Sequence, residues 1–329
     1  MSLLGNILLR EVPASLLEGV ARGEFKVCGS IIQSVTSGQI IGHLQETSVL
    51  TSMLATGNPL GATVSGLAQV AAVVQNEQIK ATLQFLETLQ FANLAATGVS
   101  IGVSVAGTAV LLHRISRIQS KVDDIARILD DISAKIEDLR QDKITDDFTR
   151  LSTLSNQVEE AWLPSSNADD WKVIARDAHF LAERFQRRAF EIRETPTPFV
   201  GEPFLQAYAL ASSLRVTARL GAGQDDMGLQ AAIDSAQTLA SYGANLNVAA
   251  LALEQTKIED GNLMLMQSEL AQAVDRLNPI ISVLRQRELA AATTVETLQE
   301  LGVQQIRGRD WLSACRAEKN SPILYLPAS

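Results

Sequence analysis

The side chains best suited to chemistry are few and scattered. His43, His113 and His179 lie far apart in the chain, and none has a metal-ligating neighbour at a useful spacing. His179 follows Asp177 by two residues on an expected helix, so the two face different directions. Each histidine therefore reads as a solvated or capped side chain rather than a general base. Cys28 and Cys315 sit near opposite ends of the chain in no nucleophile motif. Two reduced thiols are the expectation and one disulfide the alternative. Gly221-Ala222-Gly223-Gln224 begins like a dinucleotide loop, but no third glycine follows in register and no strand is expected before it, so it reads as a helix–helix turn. Arg184, Arg187, Arg188 and Arg193 form a basic cluster, expected to pair with carboxylates of the body, or alternatively with lipid headgroups. The sequence thus predicts no enzyme, no catalytic, cofactor-binding or metal-binding residue, and no cofactor.

The formal net charge is -9, and aromatic residues make up 5% of the 329. Phosphate binding needs a concentrated basic face and single-strand binding needs stacking platforms, so nucleic acid is not expected as a partner. Met1-Ser2-Leu3-Leu4 lacks the basic lead of a secretory signal, and Arg10 and Glu11 soon interrupt the apolar run. The expected location is the cytoplasm, with later association to a membrane.

That last expectation comes from the distribution of charge. Between Val27 and Leu112 only Glu46, Glu77, Lys80 and Glu87 carry a full charge, where the chain's average density would place about seventeen. Two stretches, 47–76 and 88–112, carry none. Gly57-Asn58-Pro59 interrupts the first and supplies an N-cap and a first-turn proline for a helix from about residue 59. As a helix the second would span about 37 Å, against a hydrocarbon core of roughly 30 Å. It carries small residues at Ala95, Gly98, Gly102, Ala106 and Ala109. Beside them runs an uncharged polar set that includes Thr97, Ser100 and Ser104. Such stripes let helices approach closely and bond to one another. The alternative is a buried core helix of a bundle. The spacing predicts one continuous helix through most of 88–140. By the positive-inside tendency, Arg114, Arg117 and Lys121 just after Leu112 would keep the N-terminus and the helical body in the cytoplasm.

Ile115, Ile118, Val122, Ile125, Leu129, Ile132, Ile136 and Leu139 alternate by three and four, an a/d seam for self-association or for packing in a multi-helix bundle. The elements around these regions are simpler. A short helix ends near Gly23. Residues 24–45 are rich in β-branched side chains around Ser37-Gly38, which predicts a small β-hairpin. Helices are expected over 148–162, 168–194, 202–220, 227–256, 262–300 and 308–318, with a kink or break at Pro279. The apolar tail from Ser321 to Pro327 is not expected to be helical; it docks on the body or serves as a protein-binding peptide.

The fold class that follows is mainly α: an elongated helical bundle with an apolar helical hairpin, a long heptad helix and a small N-terminal β-hairpin. Three regions are expected: a cap over 1–46, the apolar hairpin and heptad helix over 47–147, and a helical body over 148–329. Over residues 27–140 this layout resembles α-helical pore-forming toxins and other bacterial membrane-active helical proteins. The resemblance implies a protein that oligomerises and inserts its hairpin into a lipid bilayer, as a toxin or an antiviral cell-killing effector. The rival expectation is a soluble helical scaffold that uses the heptad helix to bind partners.

Overall fold

In the computed structural model, residues 10–51, 102–129, 134–193, 201–244, 246–256 and 263–329 are described. The protein is mainly helical, with a small antiparallel sheet built from both ends of the described chain. In chain order the elements are β1 (Arg10–Glu11), α1 (Ala14–Ala21), β2 (Phe25–Cys28), β3 (Ile31–Ser34), β4 (Ile40–Glu46), α2 (Thr108–Leu129), α3 (Ala134–Glu160), α4 (Ala168–Arg193), α5 (Glu202–Gly221), α6 (Asp225–Gly243), α7 (Val248–Gln255), α8 (Leu263–Val303), α9 (Gly308–Ala317) and β5 (Ile323–Pro327).

The β-branched run forms a meander. β2 pairs with β3, and β3 with β4 across the turn that carries Ser37-Gly38. The tail docks rather than hanging free. As β5 it lies between β1 and β4, in the order β1-β5-β4-β3-β2, with Leu44 opposite Tyr325. Leu324 and Leu326 are buried there, so the tail's backbone and its large side chains are used within the chain.

α5 is the axis of the body. It is buried on almost every side and packs against α2, α3, α4, α6 and α9. α4 starts at a reciprocal cap: Asn167 Oδ1 accepts from the Asp169 N–H at 2.7 Å, and Asp170 accepts from the Asn167 N–H at 2.9 Å. The expected helix over 227–256 is divided in two. Asn247 caps a fresh start for α7 by accepting from the N–H groups of Ala249 and Ala250. Of the kink or break expected at Pro279, the break does not occur, since α8 runs through it. Pro279 and Asp275 are both exposed, so the carbonyl freed by the missing N–H meets water.

The single heptad helix is also corrected. The start of α2 lies beside the end of α3, with the Thr108 hydroxyl 3.5 Å from the Ser155 carbonyl. The two helices are therefore antiparallel and the seam is not carried on one rod. Ile115, Ile118 and Val122 are buried in the chain's own core beside Phe148, Leu151 and Leu154. Ile132 and the side chains of Ile125, Leu129, Ile136 and Leu139 lie outside what is described.

Candidate functional site

The expected continuous helix over 88–140 is contradicted at residues 102–107, which are not helical; α2 begins only at Thr108. Gly102 has φ +70°, a left-handed conformation that glycine adopts without steric cost. Gly102, Ser104 and Ala106 therefore do not share a helical stripe. They belong to a buried strap laid between β4, α5, α8 and α9. Ala95, Thr97, Gly98 and Ser100 lie outside the described residues.

The strap is held by side chains that imitate a sheet. Gln45, buried at the end of β4, donates from Nε2 to the Val103 carbonyl at 2.6 Å and accepts from the Val103 N–H at 3.1 Å. Its Oε1 also accepts from the Trp311 indole N–H at 3.2 Å. Glu46 Oε1 accepts from the Val105 N–H at 3.2 Å. On the opposite side the Thr217 hydroxyl donates to the Ser104 carbonyl at 3.1 Å. Buried backbone groups need such partners, and here the side chains of Gln45, Glu46 and Thr217 supply them.

The outgoing chain is fixed in the same corner. The Thr47 hydroxyl donates to the Ser321 carbonyl at 2.6 Å, and the Ser48 hydroxyl to the Arg316 carbonyl at 2.8 Å. Arg316 grips Glu159 at the end of α3 with both terminal nitrogens, at 3.1 and 2.7 Å, and lies over the Trp162 ring. Residues 45–48 and 103–105 thus meet at one clamp. The fifty residues between Thr51 and Gly102 leave from it and return to it, carrying only Glu77, Lys80 and Glu87 as full charges.

The electrostatics of the clamp are those of a closed interior. Arg114 is 4% exposed. Burial pushes its guanidinium below the ordinary value, while the Glu46 carboxylate acts the other way. Of the cations expected to flank the charge-free stretch, Arg114 is thus buried in the core. Burial raises the Cys315 thiol well above its usual range, helped by Glu46 and Glu318, so it is a packing residue. Cys28 and Cys315 are both free.

The remaining candidates take structural places. His43 is buried, with Nδ1 3.1 Å from the Thr297 hydroxyl, rather than solvated. His179 faces Glu183 one turn on. Arg184 and Arg188 pair with the buried Asp147 at 2.7 and 2.6 Å, the internal pairing expected of that cluster. Gly221 to Gln224 is the turn from α5 to α6. Among the described residues no group of three or more His, Cys, Asp or Glu is placed to hold a metal ion, and no described helix is long and apolar enough to cross a membrane. Sequence reasoning missed Gln45, Glu46, Thr217 and Trp311. Their only signal is polarity at positions flanked by core residues, which does not say where the partner lies. Compared with known proteins, the chain matches no family model, no curated protein and no solved structure.

Proposed function

We propose that the protein is membrane-active: it oligomerises and inserts the charge-poor segment 52–101 into a lipid bilayer, as a pore-forming toxin or a cell-killing defence effector. The observation that carries this reading is the convergence of Gln45-Glu46 with Val103-Val105 at the clamp. A segment whose two ends are fixed side by side can leave the body as a loop, with the sheet and core intact. Ends held on one side require an even number of crossings. Fifty residues suffice for two crossings of about twenty residues each and a turn. Glu77 and Lys80 then fall at the turn, and Glu87 lies little more than one helical turn into the second crossing. The lipid-facing segment ends before Gly102, eleven residues earlier than the charge-free stretch itself, and the packing stripe is reduced to Ala95, Thr97, Gly98 and Ser100.

A second reading has its own observation. Ala106, Val110, Leu111, Ile115, Ile118 and Val122 pack in the core of the chain itself, as they would in a soluble helical scaffold. One experiment separates the two: size-exclusion chromatography without detergent, followed by dye release from liposomes. Membrane activity predicts release that rises with protein concentration and a lipid-dependent oligomer. A monodisperse protein that leaves liposomes tight and binds no lipid supports the scaffold and contradicts the proposal.

A further inference from the structure

The turns from α5 to α6 and from α8 to α9 border one cavity of about 420 Å³. α8 ends in a tight turn. Ile306 donates its N–H to the Leu301 carbonyl at 2.8 Å and Gln305 to the Gly302 carbonyl at 3.1 Å, with Gln305 left-handed at φ +56°. The turn folds Ile306 back onto the core cluster that holds Leu298, Leu301 and Trp311. Leu229, Leu298, Leu301, Val303 and Ile306 make the cavity wall mainly apolar. Val303 is 67% exposed, and Met227, next to Asp226, is 50% exposed. The volume falls within the roughly 300–1,000 Å³ of small-molecule sites.

The charged groups in the lining are both acidic: Asp225 and Asp226, in the first turn of α6. Asp225 Oδ1 accepts from the Gly308 N–H at 3.2 Å. Burial, with Asp226 and Asp310, pushes the Asp225 carboxyl above its ordinary value, against the Gly308 N–H and Arg307. Asp226 is exposed and has no ion pair or hydrogen bond among the described residues. Arg219 is engaged by Gln224 Oε1 at 2.7 Å, and neither it nor Arg307 lines the cavity. An apolar wall with a carboxylate edge is complementary to a molecule with an apolar body and a cationic end. An anion would meet two carboxylates there.

We propose that this cavity binds a small organic cation, an alkyl- or arylalkyl-ammonium, with its apolar body against Leu229, Leu298 and Val303 and its charge at Asp225 and Asp226. The body covers apolar surface that the chain leaves in water, and the ammonium supplies the cation that the lining lacks. The inference stands apart from the membrane reading. Leu298 and Leu301 share a core cluster with Val103, Val105 and Trp311, so a bound cation braces the corner that holds the strap.

Isothermal titration of the full chain with phenethylammonium, phenethyl alcohol and phenylpropionate, at neutral pH and matched ionic strength, tests the site. Saturable binding of phenethylammonium is expected, weakening as salt rises. The alcohol should bind several-fold more weakly and the carboxylate not at all. Asp226→Asn removes an exposed charge from an otherwise intact body and should weaken ammonium binding roughly two- to fivefold. A Cβ added at Gly302, in the cavity lining, would meet nothing within 4 Å. Gly302→Leu therefore occupies the cavity without a backbone clash and should abolish binding while keeping the circular dichroism of the parent. The proposal is overturned if phenethylammonium does not bind saturably, if the alcohol or the carboxylate binds as tightly, or if Gly302→Leu binds as the parent does.

Discussion

Gln45 and Val103, fifty-eight positions apart, hold each other by two hydrogen bonds, one in each direction, as neighbouring strands do. This contact joins the residue before the charge-poor segment leaves the sheet to the residue after it returns. Gln45→Leu removes both bonds and the Trp311 bond while keeping the volume. Replacing it should cost about 2–4 kcal/mol, because buried Val103 groups and the indole N–H lose their partner. Chemical denaturation measures the loss, and hydrogen exchange at Val103 should rise before exchange in α5 does.

Gly102 and Gly223 have the same φ of +70° but different surroundings. A Cβ on Gly223 would meet nothing within 4 Å, whereas one on Gly102 would collide with the Gln45 side-chain oxygen. Gly223→Ala should cost about 1 kcal/mol, the penalty of the left-handed conformation alone. Gly102→Ala should cost more, about 2–3 kcal/mol when the displaced clamp is added. Equal losses in thermal melts would mean that the strap is not held as described.

Asp147, 1% exposed, is the common partner of Arg184 and Arg188. Asp147→Asn leaves two cations facing a neutral group and should destabilise the body by about 3–5 kcal/mol. Urea unfolding of this variant beside Asp177→Asn, whose carboxylate is exposed and should matter little, gives the comparison.

His43 supplies a pH dependence. Burial pushes its imidazole below the ordinary value near 6.5, with Glu300 acting weakly the other way. Below that value the unfolded chain binds a proton that the folded chain resists, so stability should fall as pH drops from 7 toward the folded value. Full stability is expected above the unfolded value. His43→Gln should flatten the slope between pH 7 and 5; an unchanged slope would assign it to other groups.

Much of the helical body was legible in the sequence because its signals are local. Gly221 to Gln224, the punctuation around Pro164 and the basic cluster of α4 each mark a boundary or a partner by residue type. The strap was not legible. Gly102 follows residues with helical spacing, and only the tertiary partners Gln45, Glu46 and Thr217 make an extended conformation preferable there. The same holds for β5: its proline-bounded apolar residues exclude a helix, but its place between β1 and β4 depends on pairing across more than 270 residues. Pro279 shows the converse: α8 continues through it without a break because the helix face it occupies is wet.

Convergence of the ends also makes the charge-poor segment removable. Replacing 52–101 with a short Gly/Ser linker should leave the melting temperature of the body within a few degrees and the near-ultraviolet circular dichroism unchanged. The same variant should release no dye from liposomes. Global unfolding on replacement would show that the segment is part of the soluble core.

The most direct measurement places a single environment-sensitive fluorophore at position 97, through Thr97→Cys in a Cys28→Ser, Cys315→Ala background. Emission is followed as liposomes are added, with and without quenchers attached to the lipid chains. A blue shift and quenching by the lipid-borne groups are predicted, while a control label at exposed Ala317, through Ala317→Cys, stays in water. An emission at position 97 that neither shifts nor quenches, in a protein that is folded and lipid-exposed, would contradict insertion of the 52–101 segment.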